Sequence, residues 1–136
     1  MDFIKSIAIA ASGLRAQAGR MRIISENIAN ADSTAQRPGA EPYRRKIPTF
    51  HSEMERTLDA RVVTLGKVQP DASEFRLKYE PGHPSADAQG NVKYPNVNAL
   101  VEMTDMREAQ RSYEANINVI SATRRMLQRT IDILKA

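Results

Sequence analysis

All seven prolines of this 136-residue chain fall between positions 38 and 95. Proline has no amide donor and its ring clashes with the preceding helical turn, so the middle of the chain is barred from long helix. The flanks are proline-free, and their apolar residues step alternately by three and four. The first stripe holds Ile4, Ile7, Ala11, Leu14, Ala18, Met21 and Ile28, with Ser25 interrupting. The second holds Met103, Met106, Tyr113, Ile117, Ile120, Leu127, Ile131 and Leu134, interrupted by Gln110 and Arg124. Such spacing is that of a coiled-coil seam. It predicts helices from Asp2 to Asn30 and from Asn98 to the end, ~40 Å and ~55 Å long at 1.5 Å per residue. Neither helix can bury its seam alone. The ends must pair with each other, with other copies or with related chains.

The expected fold is mainly α: long N- and C-terminal helices packing as a coiled coil, with a small β or irregular insertion between them. The segments are 1–32, 33–97 and 98–136. Within the insertion, Arg61–Leu65 and Glu74–Tyr79 read as strands, the second with Phe75, Leu77 and Tyr79 on one face. Tyr43–Phe50 is a weaker strand, interrupted by Pro48, and the stretch from Glu80 to Asn91 suits turns or mobile loop. Asn98 is placed to cap the second helix, with Glu102 and Asp105 where the macrodipole favours negative charge. Asn30 suits a left-handed end to the first helix, and Asp32 or Ser33 a side-chain turn after it. Gly13 and Gly19 each cost the first helix ~1 kcal/mol relative to alanine. Close backbone approach to a neighbour and tolerated propensity loss explain them equally well. Ser25, Gln110 and Arg124 either set register in the seams or rotate to the surface. Register suits Gln110, and snorkelling suits Arg124.

The chemistry that can be excluded is broad. The net charge of +4 is spread evenly along the chain, without the concentrated basic face and interleaved aromatics of a nucleic-acid binder. Arg44-Arg45-Lys46 is the one basic cluster, and it reads as a solvated loop or strand edge. Cysteine is absent, and the two histidines, His51 and His83, lie far apart in proline-containing segments. No metal, cofactor or catalytic residue is expected, and no enzyme. No stretch approaches the ~20 apolar residues of a membrane span, so direct membrane insertion is not expected. The apolar run after Lys5 is too short for a cleaved signal peptide.

Several blocks resemble bacterial flagellar axial proteins, and the proximal-rod members in particular. The first is Asn27-Ile28-Ala29-Asn30 with Ser33-Thr34. The second is Pro81-Gly82-His83-Pro84 leading to Pro95-Asn96-Val97, and the third is Tyr113-Glu114-Ala115-Asn116. The resemblance runs the length of the chain in order. It implies a structural subunit of the basal-body rod, a drive shaft in the periplasm built by helical polymerisation through the terminal helices. The implied partners are other copies of itself, the other rod subunits (FlgB, FlgF, FlgG), FliE and the MS ring. It further implies export by the flagellar type III apparatus without signal cleavage. The rival reading is a cytosolic coiled-coil adaptor or secretion chaperone, using the same seams.

Overall fold

The computed structural model describes residues 2–135. Helix α1 spans Phe3–Ala29 and helix α2 spans Ala99–Lys135. Between them lie β1 (Lys46–Ile47), β2 (Phe50–Glu55), β3 (Ala60–Leu65), β4 (Gln69–Pro70), β5 (Arg76–Tyr79) and β6 (Asn91–Tyr94). The strands pair as three separate antiparallel ribbons, β1 with β4, β2 with β3 and β5 with β6. Both helix starts are capped by the residue just outside. Asp2 Oδ1 accepts from the amides of Ile4 and Lys5 at 3.1 and 3.2 Å. Asn98 Oδ1 does the same for Leu100 and Val101 at 3.1 and 3.4 Å. The far end of α1 differs from expectation. Asn30 is not left-handed, since Asp59 is the one non-glycine at positive φ among the described residues. Instead the Asn30 side chain donates back to the Glu26 carbonyl, and Ser33 Oγ donates to the Asn30 carbonyl.

Two compact units emerge, and each draws on all three stretches of chain. The first joins α1 as far as Met21, residues 49–67 and α2 from Arg107 onward. Here α1 and α2 run antiparallel, with Gly13 against Asn116 and Arg20 paired with Glu108 at 3.7 Å. The β2–β3 hairpin runs in register from Phe50↔Leu65 to Glu55↔Ala60, and turns through Asp59 at φ 46°. Its Val63 amide donates to Ser12 Oγ on α1. Glycine permits the close approaches in this unit. A Cβ on Gly13 would lie 2.9 Å from Asn116 Nδ2, and one on Gly19 2.7 Å from Leu65 Cδ2. Each of the two glycines faces the end of a neighbouring side chain at close range.

The second unit joins residues 22–48 with 68–106. Its core is Ile23, Ile24, Ala31, Val92, Pro95 and Val97. The β5–β6 register is Arg76↔Tyr94 to Tyr79↔Asn91. Strand β5 begins two residues later than predicted, and the face bearing Leu77 and Tyr79 is exposed, at 65% and 70%. The segment expected to form turns or mobile loop forms turns closed by hydrogen bonds. Asp87 Oδ1 accepts from the amides of Gln89 and Asn91, and Gly90 turns the chain at φ 83°. Strand β6 was hidden by the turn residues before it, although Val92 and Tyr94 alternate as a strand requires.

Candidate assembly surfaces

Small and polar side chains make most of the buried stripe on each helix, joined on α1 by Ile23 and Ile24. On α1 it runs through Ser12, Ala16, Ile23 and Asn27, and on α2 through Glu102, Ala109 and Thr123. Asn116 extends the α2 stripe, where its side chain fills the space that Gly13 leaves open. The predicted seams lie in other phases. On α1 the seam is two residues out of step with the stripe, a rotation of about 200°. Its members Ile4 and Ala18 are exposed, with Ser25 beside them, while Ile7, Ala11, Leu14, Met21 and Ile28 are half-buried. On α2 the seam follows the buried stripe by one residue. There Met103, Ile117, Leu127, Ile131 and Leu134 are exposed, and Met106, Tyr113 and Ile120 are half-buried. Gln110 and Arg124 also face outward. Hydropathy records where large apolar side chains lie, and the meeting of Gly13 with Asn116 gives almost no such signal. The heptad spacing exists, but Gly13 and Asn116, where α1 meets α2, belong to neither seam.

The second unit carries a buried polar cluster around Asn27, which is 1% exposed. Asn27 Oδ1 accepts from Tyr43 OH and from the Lys46 amide, both at 2.9 Å. Its Nδ2 donates to the Lys46 carbonyl at 2.8 Å and to Glu102 Oε2 at 3.0 Å. Every hydrogen-bonding group of the amide's two ends is thereby used. Glu102, also 1% exposed, receives Arg45 Nε on its other oxygen at 2.6 Å. Arg45 reaches on to Asp71 at 3.3 Å, and its amide donates to Asn96 Oδ1 at 2.8 Å. Asn96 Nδ2 in turn donates to the Asp71 carbonyl and to Ser73. One network thus ties the end of α1, the strand-forming middle and the first turn of α2.

The charges in this cluster shape its titration. Burial alone would lower the Arg45 guanidinium, but hydrogen bonding and charge from Glu102, then from Asp71, hold it above its ordinary value. Burial, followed by the negative charges of Glu26 and Glu102, pushes the Tyr43 phenol up to about 12. The Ser73 amide and hydroxyl, and then Arg45, hold the Asp71 carboxyl below the usual aspartate range.

The basic run predicted as solvated is engaged throughout. The Arg44 guanidinium stacks 4.3 Å from the centroid of Phe75 and donates to the carbonyls of Asp71 and Ser73. Lys46 pairs with Glu26. Sequence reasoning missed Tyr43, Arg45, Asp71 and Glu102, and no spacing rule links residues so far apart. The motif residues take distinct places. Asn27, Pro95 and Val97 are buried, Asn96 is a clamp, and Asn30 bonds the last turn of α1. Tyr113 and Asn116 are half-buried, whereas Ala29, Glu114 and Ala115 are exposed. No group of three or more potential metal ligands occurs among the described residues, nor any helix long and apolar enough to cross a membrane.

Comparison with known proteins bears on what such surfaces serve. Residues 7–35 match the model described as flagella basal body rod protein. Residues 88–133 match that of the flagellar basal body rod FlgEFG protein C-terminal region. A flagellar basal-body rod protein FlgC from Agrobacterium fabrum is 55% identical, covering 94% of this chain and 92% of its own length. The chain belongs to the FlgC family of flagellar basal-body rod proteins. The FlgC protein of Bacillus subtilis is 38% identical, over 99% of this chain and 100% of its own. That of Salmonella typhimurium is 37% identical, over 98% of both. Family membership makes this a structural protein of the flagellar basal body, and it places the Asn27 cluster and the helix faces in that setting.

Proposed function

We propose that the chain is a subunit of the proximal rod, polymerising through α1 and α2 into the helical shaft that crosses the periplasm. The observation that carries this reading is the inversion along α2. Ala109 is fully buried and Thr123 nearly so, while Ile117, Leu127, Ile131, Ile133 and Leu134 stay exposed, the last two at 76% and 81%. A row of large apolar residues in water is costly, and covering it with neighbours recovers ~25 cal/mol per Å². The interface residues are the outward members of both seams, from Ile4 to Ile28 and from Met103 to Leu134. The partners are other copies and the other rod subunits, with FliE and the MS ring at the base. The segments 1–32 and 98–136 act as axial helices and 33–97 as an outward insertion, delivered by the flagellar export apparatus without signal cleavage.

Ile131→Asp tests this directly. Ile131 is already 37% exposed, so the isolated protein should melt within about 1 °C of wild type, as surface changes usually allow. The variant subunit should be missing from purified basal bodies, and the cells should not swim. Wild-type swimming would remove the helices as assembly surfaces. A chain found only in the cytoplasm would favour the adaptor or chaperone reading instead.

A further inference from the structure

The β2–β3 hairpin treats its two long edges differently. The Gly66 amide donates to the Thr49 carbonyl at 2.7 Å, which makes Thr49 and Gly66 a hydrogen-bonded pair of the ladder. Bonded and non-bonded pairs alternate along antiparallel strands. In the register of this hairpin, His51, Glu53 and Glu55 therefore bond β3, whereas the amides and carbonyls of Phe50, Ser52 and Met54 point away from it. The same alternation turns the Val63 amide outward on β3, and there Ser12 Oγ of α1 accepts it at 3.2 Å. One edge is thus met by α1. The other has no second strand beside it, and Phe50 through Met54 are all exposed. Edge strands are commonly blunted by proline, lysine or a bulge. Strand β2 contains neither residue, and its register with β3 runs unbroken.

We propose that this edge receives an extended strand from a different protein of the basal body, one whose residues alternate between apolar and basic. The outward backbone groups of β2 supply the hydrogen bonds, and the two faces of the hairpin supply the selection. Phe50 and Met54 share one face and are 40% and 50% exposed, so apolar side chains of the incoming strand cover them. Glu53 lies on the other face, exposed and without an ion pair among the described residues, and it takes a lysine or arginine. Two occupants from this chain fail. Pairing β2 with β2 of a second copy uses the same patch on both, a two-fold contact that closes where a helical series must continue. Strand β5 has the required alternation in Arg76-Leu77-Lys78-Tyr79, but its basic groups are engaged within its own fold. Arg76 donates to the Ala31 and Pro95 carbonyls, and Lys78 pairs with Glu80. The inference rests on the rod-subunit reading and adds the kind of contact that the hairpin makes.

Proline at position 52 removes one outward amide and leaves the ladder to β3 complete, because the flanking residues make that ladder. Ser52→Pro should lower incorporation into isolated basal bodies about tenfold, while Ser52→Ala, which keeps the amide, should stay within about twofold of wild type. Equal incorporation of the two variants, at equal melting temperatures, would overturn the inference, since a side-chain contact alone does not distinguish them. A diazirine amino acid in place of Met54, close to it in size, gives a second measurement that stands even where the proline weakens the hairpin. Irradiated basal bodies should yield cross-links to a protein other than this chain, through one segment of alternating apolar and basic residues. Capture of a second copy, of a segment without that alternation, or of nothing would also sink the inference and leave the rod reading intact. Absence of the chain from basal bodies of swimming cells would end both.

Discussion

A single amide, Asn27, uses its four bonds to hold Tyr43, both backbone groups of Lys46 and the buried carboxylate of Glu102. Asn27→Ala strands those partners in a dry site, where each unmet group costs about 1–3 kcal/mol. We expect a loss of about 3 kcal/mol after partial relaxation, read as a fall in the urea midpoint without a change in slope. Tyr43 supplies a pH signature. Its folded pKa of about 12 lies above the ordinary 10.0, so the unfolded chain releases the proton first as pH rises. Stability from this group is complete below pH 10.0 and is lost as pH climbs towards about 12. Tyr43→Phe should flatten the alkaline fall in the denaturation midpoint over that window. An unchanged slope would show that the phenol does not couple to folding. Asp71, with its lowered pKa, acts at the other end, and its contribution fades as pH falls through and below the usual aspartate range.

At the scale of elements, the antiparallel contact between α1 and α2 is held close by what is missing from Gly13. Alanine there gains ~1 kcal/mol of helix propensity, but its methyl would meet the Asn116 amide at 2.9–3.1 Å. Gly13→Ala should therefore fail to stabilise the wild-type protein, yet stabilise the Asn116→Ala background. A double-mutant cycle on thermal or urea unfolding should report a coupling of about 1 kcal/mol between the two positions. Additive effects would mean that the helices separate freely at this point.

For the whole molecule, the end of α2 is the open question that assembly answers. From Gln128 to Lys135 every residue is exposed, so the last two turns lack the tertiary packing that stabilises most helices in proteins. Amide exchange in the dilute monomer should be fast over 128–135 and slow around Ala109 and Asn116. Protection of 128–135 should appear once the subunit is in the rod. Removing the chain from Thr130 onward takes away Ile131 and Leu134, and should abolish motility while secretion continues. Swimming cells after that deletion would show that these turns bear no load.

Periodicity and proline placement were enough to define two end helices within a residue or two, and the stripes of large apolar residues along them. Those are local properties, set by the 3.6-residue repeat and by a missing amide, and they are readable in any short window. The short motifs likewise pointed to the rod family, because they are contiguous. Which helix face meets which was settled only in three dimensions. The contact between the helices joins Gly13 to Asn116, and steric fit of that kind leaves no hydropathy trace. The Asn27–Glu102–Arg45–Asp71 cluster was equally illegible, since its members are spread over the chain from residue 27 to 102. A buried charge finds its partner through the path of the folded backbone, and no spacing in the sequence encodes that path.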